Sequence, residues 1–120
     1  MSPHRPPGES GLLRVLGSYR FMAQKSNKEF NIPLEAFKTI TSSDCFYCGS
    51  PPSKIKKMPK YALGSYLYNG IDRLDYLKGY TLDNIVPCCT RCNMMKWVLS
   101  REDFLNHIEK ILTFQRTRDL

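Results

Sequence analysis

Histidine is scarce in this chain of 120 residues. There are two, His4 in a stretch rich in proline and glycine and His107 near the C-terminus, beside an apolar stripe where a structural or exposed role is expected. Long apolar runs are missing as well. None approaches the roughly 20 residues that a membrane-spanning helix needs. The opening "MSPHRPPGES" lacks the apolar segment of a secretory leader. Acidic residues are few: 11 Asp and Glu stand against 18 Lys and Arg, for a net charge of +7. The expectation is a cytoplasmic, reducing setting without membrane association. An acidic partner is expected too, and nucleic acid is the commonest of these.

A chain of this length has room for one domain and one modest core. Domains this thin often add a staple, either a disulfide or a metal ion. Five cysteines are present, and in a reducing setting clustered cysteines read as metal ligands rather than bridges. Four of them form two pairs, Cys45-x2-Cys48 and Cys89-x2-Cys92. Each x2 turn presents two thiolates together, and two such turns complete the tetrahedral set that structural zinc prefers. Gly49 follows the first pair and permits the tight backbone of a knuckle. Cys88 is the spare thiol. It follows "IVP" and is expected to be buried as a small apolar residue. A Cys88-x3-Cys92 pairing fits less well than the x2 turn.

The organisation follows from periodicity and punctuation. Residues 1–9 are expected to be a disordered tail and 10–117 one domain. Within it, 10–44 reads as a helical N-terminal part, 45–99 as knuckles and core, and 100–117 as a C-terminal helix. Ser10 can cap a first helix whose apolar stripe is Leu12, Leu13, Leu16, Tyr19 and Ala23. "NIPLEAFKTI" reads as a short second helix with Pro33 in its first turn. "SPPSKIKKMPK", with three prolines and four lysines, reads as a loop. "YLYNGIDRLDYLKGYTLDN" suggests short strands around a loop, with turn signals at Asn69-Gly70 and Lys78-Gly79. "TRCNMMKWVL" reads as a helix. "SREDFLNHIEKILTF" reads as the last helix, capped by Ser100, with Phe104, Leu105, Ile108, Ile111 and Leu112 facing inward.

The run "GIDRLDYLKGYTLDNIVPCCTRCNMMK", Gly70 to Lys96, resembles the HNH endonucleases, and in particular a zinc-bearing branch found in phages and bacteria. That family's pattern is Asp-His, a glycine-containing loop, Asn, and then C-x2-C-His/Asn-x2-Lys. The resemblance implies an α+β fold. A small ββα-metal core would be stapled by a four-cysteine zinc site and flanked by N- and C-terminal helices. It implies Cys45, Cys48, Cys89 and Cys92 as structural zinc ligands. It implies Asp72 and Asn93 as ligands of a catalytic Mg²⁺ or Mn²⁺, and Asn84 as the residue that pins the loop. Lys96 would lie near the phosphate. Oxygen donors suit these hard ions as thiolates suit zinc.

One position departs from the pattern. Arg73 stands where the family usually has the base histidine, and an arginine stays protonated at neutral pH. It can clamp a phosphate and stabilise developing charge. Three explanations stay open. Asp75 could serve as base, the metal or the substrate phosphate could activate water, or the domain could bind without cutting. An Asp-Arg-x-Asp run occurs widely in the branch, which favours activity. The first reading is therefore a metal-dependent endonuclease that nicks or cuts DNA, with RNA as the other substrate. The second is a zinc-stapled nucleic-acid-binding module of a phage, mobile-element or defence assembly. A redox role for C-x2-C ranks last, because no thioredoxin-like βαβ pattern surrounds it. Lys54, Lys56, Lys57 and Lys60, followed by Tyr61, Tyr66 and Tyr68, form a candidate nucleic-acid surface together with Arg73, Arg91 and Lys96. Most of those tyrosines are expected in the core. Arg14, Arg20 and Lys25 form a second candidate patch on the first helix.

Overall fold

Leu12, Leu16 and Ala23 recur at helical spacing, and with Val15 they bury one side of α1 (Glu9–Lys25) in a computed structural model that describes residues 5–61 and 63–118. His4 and the first four residues of the expected tail lie outside the described residues. The helix begins one residue before the expected cap. Gly8, at φ 82°, takes the N-cap position and donates its N–H to the Leu63 carbonyl at 2.7 Å. Ser10 is buried in the first turn instead. Gly11 lets α1 cross the neighbouring strand closely, because a Cβ there would lie 2.7 Å from the Tyr66 side chain.

The short strand β1 (Phe30–Asn31) leads to α2 (Leu34–Thr41), which Pro33 precedes in an extended conformation. The lysine-rich segment expected to be a loop contains a strand, β2 (Lys54–Lys56). It pairs antiparallel with β3 (Tyr66–Tyr68), Lys54 opposite Tyr68 and Lys56 opposite Tyr66. The lysines mask it in the sequence, since no residue of β2 is buried. In β3 the alternation is plain: Tyr66 and Tyr68 face the core and Leu67 faces out. Asn69 separates β3 from β4 (Gly70–Arg73). After a loop that contains β5 (Tyr80–Thr81), β6 (Ile85–Cys88) returns antiparallel to β4, with Asp72 opposite Val86 and Arg73 opposite Ile85. β5 pairs in parallel with β1, and this ties the loop to the N-terminal half.

The helix α3 (Thr90–Lys96) follows β6 directly, so β4, β6 and α3 make a ββα unit. It stops where Trp97 takes a positive φ of 49°. The last helix is α4 (Arg101–Thr117), and the Ser100 hydroxyl caps it by accepting from the Asp103 N–H at 3.1 Å. Of the five side chains expected to face inward there, Phe104 alone is buried. Leu105, Ile111 and Leu112 are 40–50% exposed. The stripe is amphipathic as read, but the helix carries it past the body of a molecule 66 Å long and 20 Å thick.

Two buried clusters result. Leu12, Leu16, Phe37, Tyr66, Ile71 and Ile85 are central to the apolar one, formed between α1, α2 and the strands. Cys45, Cys88, Cys89 and Cys92 form the other, with Tyr47 packed against it. The fold is thus α+β, a ββα unit with helices on either side in sequence.

Candidate functional site

The first knuckle is shaped by its backbone. The Cys45 N–H donates to the Ser50 carbonyl at 2.8 Å, and Gly49, at φ 76°, returns its N–H to the Cys45 carbonyl at 2.9 Å. The second knuckle is the start of α3. Cys89 is its N-cap residue, and its sulfur accepts from the Cys92 N–H at 3.4 Å. The ligand atoms of Cys45, Cys48, Cys89 and Cys92 all lie within 4.8 Å of one another. The Cys48 and Cys89 sulfurs are 3.7 Å apart. A metal–sulfur bond of about 2.3 Å makes a tetrahedral edge of about 3.8 Å, so the four sulfurs fit a zinc-like ion. Cys88 is buried beside them and donates to the Cys89 carbonyl at 3.4 Å. Hydrogen bonding to Ser50 draws the exposed Cys48 thiol down to about 6, whereas burial pushes the Cys88 and Cys92 thiols up.

Asp72 sits on β4 and is buried. Its Oδ2 accepts from the Tyr47 hydroxyl at 2.9 Å and meets the Lys96 ammonium at 3.2 Å. Among the described residues Oδ1 has no protein partner. Tyr47 lies inside the first knuckle, so the thiol cluster and the aspartate are joined through one phenol. Burial and the Asp72 carboxylate both push the Tyr47 phenol up, and it remains a donor at neutral pH. The family resemblance implies Lys96 near a phosphate, and the structure shows its ammonium enclosed against Asp72. It is 0% exposed, and its ammonium also donates to the Arg73 carbonyl at 3.1 Å. The apolar surroundings accept that ammonium because two oxygens meet it.

The loop after β4 is held by Asn84. Its side chain accepts from the Asp75 N–H at 3.0 Å and donates to the carbonyls of Asp75 and Gly79 at 3.0 and 2.8 Å. Asp75 is half-buried, and its carboxylate accepts from the Leu77 N–H at 3.0 Å, which closes a turn. Arg73 is half-buried too. Its guanidinium lies 4.7 Å from the centre of the Tyr80 ring and donates to the Lys78 carbonyl at 3.0 Å. Asn93 is exposed on α3, one turn before Lys96 and therefore beside the residue that touches Asp72. The structure thus gathers Asp72, Arg73, Asp75 and Asn84 on β4 and its loop, with Asn93 on the helix that packs there.

The basic residues divide differently. Lys54, Lys57 and Lys60 are exposed and Lys56 is half-buried, all on or after β2, which borders α1 rather than α3. Lys54 stands over the Tyr68 ring at 5.3 Å. Arg91 is exposed on the first turn of α3. Tyr61 is 54% exposed, while Tyr66 and Tyr68 are core. On α1, Arg14 shares a cleft of about 500 Å³ with Arg5, Phe21 and Tyr61. Arg20 stands over Phe30, and Lys25 over Phe21. His107 is exposed on α4. Sequence reasoning missed Tyr47, Tyr80 and the burial of Lys96. The one signal in reach was the place of Tyr47 between two ligand cysteines.

A ββα unit with an aspartate on its first strand, stapled by four cysteines, defines the fold class of the HNH endonucleases. The comparisons agree. The chain superposes on the rare-cutting HNH restriction endonuclease PacI, described for its mechanism of DNA perturbation, with a TM-score of 0.59 and 20% identity, over 83% of this chain and 75% of that one. It is also 34% identical over 87 residues to an uncharacterized protein of Acanthamoeba polyphaga mimivirus. That match takes in 72% of this chain, which spans 14% of the length of the viral protein. No protein-family model matches. Among the described residues no helix is long and apolar enough to cross a membrane.

Proposed function

We propose that the chain is a metal-dependent endonuclease of the HNH type that hydrolyses DNA phosphodiester bonds. The observation that carries this reading is Asp72. Its Oδ2 is anchored from two sides by Tyr47 and Lys96 while Oδ1 has no protein partner among the described residues, and this occurs in a nuclease fold. Asp72 and Asn93 would hold Mg²⁺ or Mn²⁺, since both offer oxygen donors. The four cysteines would hold Zn²⁺, which asks for a reducing compartment. A divalent ion in the oxygen site supplies stabilisation of charge on a phosphoryl oxygen.

The remaining work falls to the chain's own groups. Arg73 contributes fixed positive charge beside the scissile phosphate, with Tyr80 and Lys78 holding its guanidinium in place. Asn84 keeps the loop that carries Asp75 and Lys78 in register with the strand. Lys54, Lys57, Lys60 and Arg91 add exposed cations for the backbone of a longer substrate. Lys96 has no such role, because its ammonium is enclosed. A second reading, a zinc-stapled binding module that does not cut, is favoured by one observation: among the described residues no imidazole belongs to the site.

A supercoiled-plasmid assay with Mg²⁺ or Mn²⁺ tests the reading. Asp72→Asn is the sharper variant, since it keeps the acceptor for Tyr47 and the shape around Lys96. Asp72→Ala would strand a buried ammonium and confound folding with activity. Nicked or linear product from wild type, lost in Asp72→Asn and reduced about 10²–10³-fold in Arg73→Ala, is the expected result. Arg73→His restores the usual family residue and should introduce a pH dependence near neutrality. Wild type and Arg73→His that bind DNA but leave the plasmid intact with both ions would replace the nuclease by the binding module.

A further inference from the structure

Trp97 ends α3 in a conformation that tryptophan avoids. Its φ is 49° and its ψ −118°, a region glycine enters freely and a bulky side chain does not. The fold gives nothing back for it. The indole is 75% exposed, and among the described residues it has no hydrogen-bond or aromatic partner. Tryptophan ordinarily hides most of its large apolar surface. Met94 and Met95 beside it are 75% and 57% exposed, so the end of α3 is an apolar knob on a basic chain.

The knob stands beside the candidate site. The Trp97 N–H donates to the Asn93 carbonyl at 3.0 Å. The preceding residue is Lys96, whose ammonium touches both Asp72 and the Arg73 carbonyl. Exposed arginines flank it on both sides in sequence, Arg91 on α3 and Arg101 at the start of α4. An aromatic face among cations, on a chain of charge +7, matches a strand whose phosphates meet the cations and whose bases meet the ring. A purely apolar protein partner would leave those charges unanswered.

We infer that Trp97 is a nucleobase-stacking residue that receives an unstacked base next to the phosphate that a divalent ion at Asp72 and Asn93 would hold. The inference rests on the nuclease reading and narrows its substrate. Strands whose bases are already exposed, or whose steps unstack readily, should be preferred to a regular duplex, because opening a stack costs free energy. It also accounts for the backbone: the helix end tolerates tryptophan where glycine would be easier.

Trp97 is the chain's single tryptophan, so its emission reports on this position alone. The zinc-loaded protein, without Mg²⁺ or Mn²⁺, would be titrated with a short dye-labelled single strand and with its duplex, following dye anisotropy and tryptophan emission together. Emission should fall in step with the rise in anisotropy, at lower protein concentration for the single strand. Trp97→Gly should separate two properties. Its melting temperature should rise as the backbone relaxes, while affinity for the single strand falls about tenfold. Trp97→Phe should keep most of the affinity and gain no melting temperature. Anisotropy that rises while emission stays constant, or Trp97→Gly binding as tightly as wild type, overturns the stacking role and leaves the nuclease reading standing. Absence of any binding overturns the stacking role, and the plasmid assay with Mg²⁺ or Mn²⁺ decides the nuclease reading separately. Emission that changes with protein concentration alone, together with sedimentation at twice the monomer mass, overturns it in favour of a second copy of the chain.

Discussion

Phe37 and Cys45 are both almost fully buried, at 0% and 3% exposure, yet for different reasons. Phe37 lies in a cluster of aliphatic and aromatic side chains that gains by leaving water, and that gain needs nothing from outside the chain. Cys45 lies among sulfurs, with three of the four ligand thiols buried, and hydrogen bonding draws the Cys45 and Cys48 thiols down while burial pushes that of Cys92 up. Gathering polar groups away from water costs free energy unless something satisfies them. The first region closes on itself, whereas the second is arranged for an ion to close it. The seam between them is Asp72, reached by Tyr47 from the knuckle and by Lys96 from α3.

The comparison breaks most visibly at the cysteines. Cys45→Ser should abolish stoichiometric zinc and soluble folding, because zinc binding by such sites is worth about 10–16 kcal/mol and is itself folding free energy. Metal analysis and circular dichroism of the purified chain check this. Well-folded wild type that carries no zinc would end it. Acid should have the same effect more gently. Thiolates must be deprotonated to bind, so metal-linked stability is present at neutral pH and fades at acid pH as protons compete with the ion for the four sulfurs.

The apolar half should respond without touching the metal. Phe37→Ala removes a fully buried ring and should cost about 4 kcal/mol in a urea melt, with zinc content unchanged. Zinc lost in step with stability would show the two regions to be one. The seam lies between these limits. Lys96→Met leaves the Asp72 carboxylate without its buried partner and should cost about 3 kcal/mol. Asp72→Asn combined with Lys96→Met should recover part of that, and a double-mutant cycle measures how much. The smallest effect is expected where neither region reaches. Ser100→Ala removes the cap of α4 and should cost about 1 kcal/mol. It should show as faster amide exchange in the first turn of α4 and leave the metal alone.

The parts of this molecule that announce themselves in sequence are those whose chemistry is local. Two C-x2-C pairs say what they are, because a knuckle is made within five or six residues. The cap Ser100 and the stripe on α1 are equally local. What stayed hidden depends on distant partners. β2 looks like a loop, since its lysines show no alternation and β3 supplies its register. Lys96 looks like a phosphate ligand, since nothing in "NMMK" reveals that Asp72 and the Arg73 carbonyl lie in wait for its ammonium. The stripe on α4 is amphipathic in sequence and in structure, but whether a neighbour lies opposite is a tertiary fact. The β1–β5 pair joins two dipeptides, too short to leave any pattern.

The two knuckles also set a timetable. Cys48 and Cys89 meet across 41 residues of chain. Closing a flexible loop of that length costs about 3 kcal/mol on the logarithmic scale of loop entropy. Before closure each arm offers an ion only two thiolates. The β4–β6 hairpin, which carries Cys89 back toward the first arm, must therefore form before the ion is held firmly. On a ribosome moving at about 5–20 residues per second, the second arm follows the first by about 2–8 s. For that interval the newborn chain carries an open dithiol, and an oxidant or a competing metal meets it before its own partner does.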